Sequence, residues 1–400
     1  MFTIMPKHNL TTGTQIGNQA RIVFDNNAPI DTPVWNNTID NSRPSSQVLP
    51  LTTSQPFIIF NVNWSGVDTG SGIRSYTVYV SRNGAPYTVW LSDATFTSSV
   101  FIGQGGSTYN FYSVAKDAAG NTELAKTISD TLTSTPAAIV NSIDDSRFFI
   151  RQQYLDFLSR EPDPSGWDFW TNTITSCGTD PTCLEVRRIN GSAAFFLSIE
   201  FQNTGYFVYR VYKAAYGNLA GAPVPLTLND FLPDTQEIGN QVIVNQDGWQ
   251  QVLESNKQAF ALQFVQRARF VSTFPTTMTP AQFVDQLFTS GGVTPSAAER
   301  NLAIAEFGSA ANSADAPARS RALRDVADNA TLTQQEFNRA FVLMEYFGYL
   351  QRNPSDAPDS DYTGYNFWLT KLNQFNGNYI SAEMVKAFIS SSEYRQRFGP

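Results

Sequence analysis

Few residue types in this chain could do chemistry, and their spacing narrows the choice further. A single histidine, His8, lies in a polar stretch near the start. Its isolation removes Ser-His-Asp and Cys-His catalysis and most zinc sites together. The two cysteines, Cys177 and Cys183, bracket the turn-forming run Gly178-Thr179-Asp180-Pro181-Thr182. Thiols across a turn can reach disulfide geometry, and free buried cysteines are the alternative. Two thiolates without histidine or further cysteine leave a tetrahedral zinc incomplete, and the spacing is not that of a redox Cys-x-x-Cys motif. Asp356, Asp359 and Asp361 cluster in a loop and offer oxygen ligands, but their spacing fits no EF-hand. A solvated acidic loop with Asp361 as a helix N-cap is the expectation, with no metal and no cofactor anywhere in the chain. Hydrolysis through a carboxylate pair stays open in principle, yet among 35 acidic residues no spacing singles out a pair. No G-x-S-x-G elbow supports a serine hydrolase.

The elements that must position these residues fall into two kinds. From about 56 to 131 apolar residues alternate: Phe60, Val62 and Trp64, then Tyr76, Val78 and Val80, then Tyr109, Phe111 and Ala115. Period two places one face of each strand in a core. The breaks are turn-formers, namely Asp68 to Gly72, Asn83-Gly84, Gln104 to Gly106 and Asp117 to Asn121, and Asn-Gly is the strongest short hairpin signal. An antiparallel β-sandwich is expected. After a Ser/Thr/Pro linker the apolar period changes to about 3.6 and stays there. The chain therefore reads as multidomain, an N-terminal all-β sandwich module followed by a C-terminal all-α helical repeat domain. The segments are 1–44, the end of a truncated β module and linker; 45–135, the sandwich; 136–144, a linker; 145–220, a first helical repeat unit; 221–335, a helical middle region or degenerate repeat; and 336–400, a second repeat unit. Within the first segment, Gln19 to Asp25 alternates like the last strand of a domain whose beginning is missing.

The repeat is explicit. Tyr154-Leu155-Asp156-Phe157-Leu158-Ser159-Arg160-Glu161-Pro162 returns as Tyr346-Phe347-Gly348-Tyr349-Leu350-Gln351-Arg352-Asn353-Pro354. The block from Asp163 to Trp170 returns from Asp361 to Trp368 after an insert, Ser355 to Ser360, and Phe195 to Phe201 returns as Phe388 to Tyr394. Five pairs of positions carry the signature: Tyr154 and Tyr346, Arg160 and Arg352, Asp163 and Asp361, Gly166 and Gly364, Trp170 and Trp368. Each has a structural reading. The tyrosines lie on an apolar helix face, and the aspartates act as N-caps. The tryptophans are expected in the core near Phe157 and Tyr349. The arginines are expected on the first helix's last carbonyls or on the capping aspartate. Ser198 and Ser391 would cap a final short helix with Glu200 and Glu393 in its first turn. Between the copies, Thr279-Pro280 and Thr294-Pro295 each read as an N-cap and first position.

Composition bounds the partners. A net charge of −8 disfavours nucleic acid and anionic membranes, which both demand a concentrated basic surface. No apolar run approaches the ~18 residues of a spanning helix, so no membrane insertion is expected. The run Trp64 to Ile73, with Tyr112 to Asp117 and Gly120-Asn121, resembles bacterial immunoglobulin-like or fibronectin type III modules, which serve mostly as spacers in secreted and surface proteins. The repeat blocks, with Arg160 to Gly166 and the ending Ser392 to Phe398, resemble over 145–400 a helical family known only as domain of unknown function forty-two fourteen. That resemblance implies an extracellular or cell-surface address in a bacterium and brings no established catalytic residues to carry over. Such a setting would oxidise Cys177 and Cys183. The functional expectation is a non-catalytic structural, adhesive or assembly segment with a protein or glycan partner, or with itself. The alternative is a carbohydrate-active hydrolase using a carboxylate pair in the helical region.

Overall fold

The computed structural model describes residues 7, 9–137 and 139–399, so His8 lies outside the described residues. The chain divides into two units, Met1–Asp145 and Ser146–Pro400.

In the first unit the alternation becomes two antiparallel sheets. Ser45–Val48, Ile59–Val67 and Ser98–Ile102 form one; Thr131–Ser134, Thr108–Asp117, Ile73–Arg82 and Thr88–Ala94, in that spatial order, form the other. Phe60, Val62 and Trp64 are buried while Asn61, Asn63 and Ser65 between them are exposed, as a pleat with one dry face requires. The dry faces meet: the rings of Phe101 and Phe111, from different sheets, lie 4.9 Å apart edge to face. Asn83 and Gly84 turn the hairpin between Ile73–Arg82 and Thr88–Ala94 with φ of 51° and 76°, the left-handed pair such a turn demands. Upstream, the expected strand from Gln19 to Asp25 is only Arg21–Ile22, and it pairs with Ile30–Asp31. Asn27 N–H donates to the Phe24 carbonyl at 2.9 Å, so Asn26 to Pro29 reverses the chain onto its own partner strand instead of leading away from a sheet.

The second unit is helical, and its helix starts follow from side-chain caps. Asp163 accepts from Gly166 N–H at 2.7 Å, with Pro164 opening the helix Pro164–Thr175. Thr279 and Gln282 form a reciprocal capping box before Pro280–Gly291, as the Thr-Pro pair indicates. The next helix, Ala297–Ala305, begins two residues beyond Thr294-Pro295. There Ser296 and Glu299 bond reciprocally and outcompete the upstream pair. Through the centre runs Gly205–Tyr216, whose residues from Gly205 to Ala215 are all buried, a helix apolar nearly all round and enclosed by others. Its Arg210 is satisfied by the Ala327 carbonyl and Asp328, both at 2.8 Å. Among the described residues no helix is long and apolar enough to cross a membrane.

Candidate functional site

The recurring residues are positioned by matched elements. The helix Ser146–Leu158 ends on Ser159 at φ 53°, and the second copy ends on Gln351 at φ 54°, a left-handed stop that needs no glycine here. The arginine that follows finds the same partners in both copies. Arg160 donates from Nε and Nη2 to the two carboxylate oxygens of Glu200, both at 2.7 Å. Arg352 does the same to Glu393 at 2.6 and 3.1 Å. From Nη1 each also donates to the carbonyl of the residue after it, Glu161 or Asn353, at 3.1 Å. The expectation of carbonyl or aspartate partners is therefore incomplete, because Asp163 stands 3.6 Å away and the principal partner is the glutamate. The signal was present in the sequence. Arginine and glutamate stand 40 residues apart in one copy and 41 in the other. The glutamate sits in a first turn capped as expected, Ser198 accepting from Phe201 N–H at 3.0 Å and Ser391 from Tyr394 N–H at 3.1 Å.

The tyrosine and glycine interlock. A Cβ on Gly166 would lie 2.3 Å from the Tyr154 hydroxyl, and one on Gly364 would lie 2.6 Å from the Tyr346 hydroxyl. Only glycine lets the ring pass at that height. The arginines cover the same rings, at 5.0 Å over Tyr154 and 5.4 Å over Tyr346.

Two expectations need correction. Trp170 and Trp368 are half-buried and pack on Phe195 and Phe388, at 5.9 and 5.8 Å between centroids, away from Phe157 and Tyr349. The deep ring lies one turn earlier. Trp167, 4% exposed, donates to the Arg147 carbonyl at 2.8 Å, and Tyr365, 0% exposed, donates to the Arg339 carbonyl at 3.0 Å. The apolar stripe thus centres on position 167, and position 170 falls at its rim. Asp361 is also not the N-cap: Tyr362 occupies that position, and Asp361 accepts from Thr363 N–H at 2.8 Å. The other acidic loop residues point to separate partners, Asp356 to Asn353 and Asp359 to Arg352. Cys177 and Cys183 are joined by a disulfide, their Cα atoms 5.5 Å apart, closing the turn between Pro164–Thr175 and Pro181–Leu197.

All five signature residues of the first copy, Tyr154, Arg160, Asp163, Gly166 and Trp170, line one open cleft of about 680 Å³. Ile243 to Gln246 of the middle region form part of its wall, a contribution no repeat signal marked. Phe169 projects at its edge, 63% exposed and 5.2 Å from Trp170. In the second copy the insert places Asp359 on Arg352 Nη2 at 2.9 Å, so that arginine is engaged by its own loop.

The cleft's electrostatics are set by burial and by Arg160. Burial, reinforced by Asp163, pushes the Tyr154 hydroxyl up to about 12, so it remains a hydrogen-bond donor. Burial raises the Asp163 carboxyl, but the Gly166 N–H, the Ser165 hydroxyl and Arg160 outweigh it and hold the group below the usual carboxylate range. Glu200 has both oxygens on the Arg160 guanidinium. Hydrolysis of a glycoside requires a carboxyl that carries a proton. Asp156 and Asp325, pushed up to about 6 chiefly by burial, lie outside the cleft. No protein-family model, no curated protein and no solved structure matches this chain.

Proposed function

We propose that the chain is a non-catalytic adhesive segment of a secreted or cell-surface bacterial protein. The two sheets of the first unit act as an immunoglobulin-like or fibronectin type III-like spacer, and the helical repeat region binds a glycan in the cleft of its first copy. One observation carries the reading: the signature residues converge on an open cleft that pairs aromatic surface with hydrogen-bonding groups, with Asp163 held below the usual carboxylate range and Glu200 bonded through both oxygens to Arg160. An exposed ring beside convergent polar groups suits the apolar face and hydroxyls of a sugar. The disulfide supports an oxidising address. The matching Arg–Glu clamps support reading the helical region as two copies of one unit, the second with its arginine engaged by its own insert.

The test is retention of the purified chain on a panel of immobilised neutral and acidic polysaccharides. Saturable binding that falls at least tenfold in Phe169→Ala and Trp170→Ala, with the helical signal intact, is the expected result. Release of reducing ends, abolished by Asp163→Asn without loss of folding, would replace this reading with a carboxylate hydrolase. Absence of retention on every polysaccharide would remove the glycan.

A further inference from the structure

In the first unit, three carboxylates meet without a cation of their own. Asp40 precedes the strand Ser45–Val48, Asp68 follows Ile59–Val67, and Asp117 ends Thr108–Asp117. One oxygen from each lies within 4.8 Å of the other two. Among the described residues the ion pairs of this unit join Arg21 to Asp31 and Lys126 to Glu123 and Asp130, and none reaches these three. Asp117 is 0% exposed, and its donors are the neutral Asn121 N–H and side-chain amide, both at 2.7 Å. Asp68 Oδ2 accepts from Gly70 and Gly72 N–H at 3.0 and 2.8 Å. Its Oδ1 is wholly buried with no donor in reach. Asp40 is pressed into the same loop: it accepts from Ser71 N–H at 2.7 Å, and a Cβ on Gly70 would lie 2.2 Å from its carboxyl carbon.

Neighbouring anions disfavour one another, and a buried anion needs compensation. The orphaned Asp68 oxygen adds what an acidic cluster alone lacks, a buried lone pair that calls for positive charge in a small volume. Oxygens within 4.8 Å of one another can all reach one calcium at about 2.4 Å, and a few carboxylate oxygens completed by water suit calcium's flexible coordination. We infer that Asp40, Asp68 and Asp117 bind one calcium ion, water completing its shell. The ion ties three segments distant in sequence and stabilises the first unit by binding only its folded form.

The experiment uses the full chain stripped with a chelator, titrated calorimetrically with calcium chloride and melted with and without it. One ion per chain with a dissociation constant of roughly 10 μM to 1 mM, and a rise of about 5 °C or more in the first unit's melting temperature, are expected. Asp68→Asn and Asp40→Asn should each abolish both effects while melting, without calcium, no lower than the stripped parent, because each removes a repelling charge. Asp359→Asn, in the helical unit's insert, should leave them unchanged. Absence of binding by the parent, or a calcium response that persists in both Asp68→Asn and Asp40→Asn, would overturn the site.

Discussion

Replacing Arg160 with Met tests the clamp at the head of the cleft. Glu200 is 5% exposed and has both oxygens 2.7 Å from the guanidinium. Removing the arginine leaves a buried carboxylate with no counter-charge, a change that costs about 3 to 5 kcal/mol when one partner of a buried pair is deleted. The Arg160 side chain is 17% exposed, which places the cost near the lower end. Adding Glu200→Gln should recover about 2 kcal/mol, since the loss stems from the stranded charge. The assay is urea unfolding followed by the far-ultraviolet helical signal, which reports on the second unit. A gap under about 1 kcal/mol at pH 7 would refute the clamp; that limit is what an ordinary surface pair contributes.

Three further outcomes follow. Trp167→Ala should cost about 3 to 5 kcal/mol and Trp170→Ala about 1, because only Trp167 is buried and bonded to a carbonyl; equal losses in urea unfolding would contradict the assignment of core and rim. Asp325, raised to about 6 by burial with Glu306 adding to it, contributes stability that is full below pH ~4 and lost as pH rises through about 6. Asp325→Asn should accordingly gain on its parent between pH 4 and pH 8, and parallel stability profiles would contradict the burial of that charge. Thiol titration of unfolded, unreduced protein should return no reactive cysteine, and reduction should lower stability by about 2 kcal/mol for so short a loop; two free thiols would remove the disulfide.

What the sequence disclosed and what it withheld follow from how each signal arises. Period-two runs such as Phe60, Val62 and Trp64 report burial directly, and so the sheet faces could be read from them. Caps are local chemistry, and Asp163, Ser198, Ser391 and Thr279 behave as their neighbours dictate. Thr294-Pro295 failed because two capping sets lie within three residues, and only the reciprocal bonds of Ser296 and Glu299 decide between them. The Trp170 placement failed for a different reason. A stripe of apolar residues on a helix has an edge, and which member reaches the edge depends on the neighbouring helix that carries Phe195. The Arg160–Glu200 pair and the cleft wall from Ile243 to Gln246 bring together residues far apart in sequence, and only the constant spacing of Arg and Glu hinted at the first. Asp40, Asp68 and Asp117 read singly as turn or loop aspartates; their convergence is a property of the fold.

The central claim, a cleft that binds without reacting, is met most directly by incubating the chain with the polysaccharide that retains it best and measuring bound ligand and released reducing ends in the same sample. Stable occupancy that depends on Phe169 and Trp170, with no product formed by the parent or by Asp163→Asn, is the expected result. Product formation by the parent that Asp163→Asn or Glu200→Gln abolishes while the ligand still binds would contradict it.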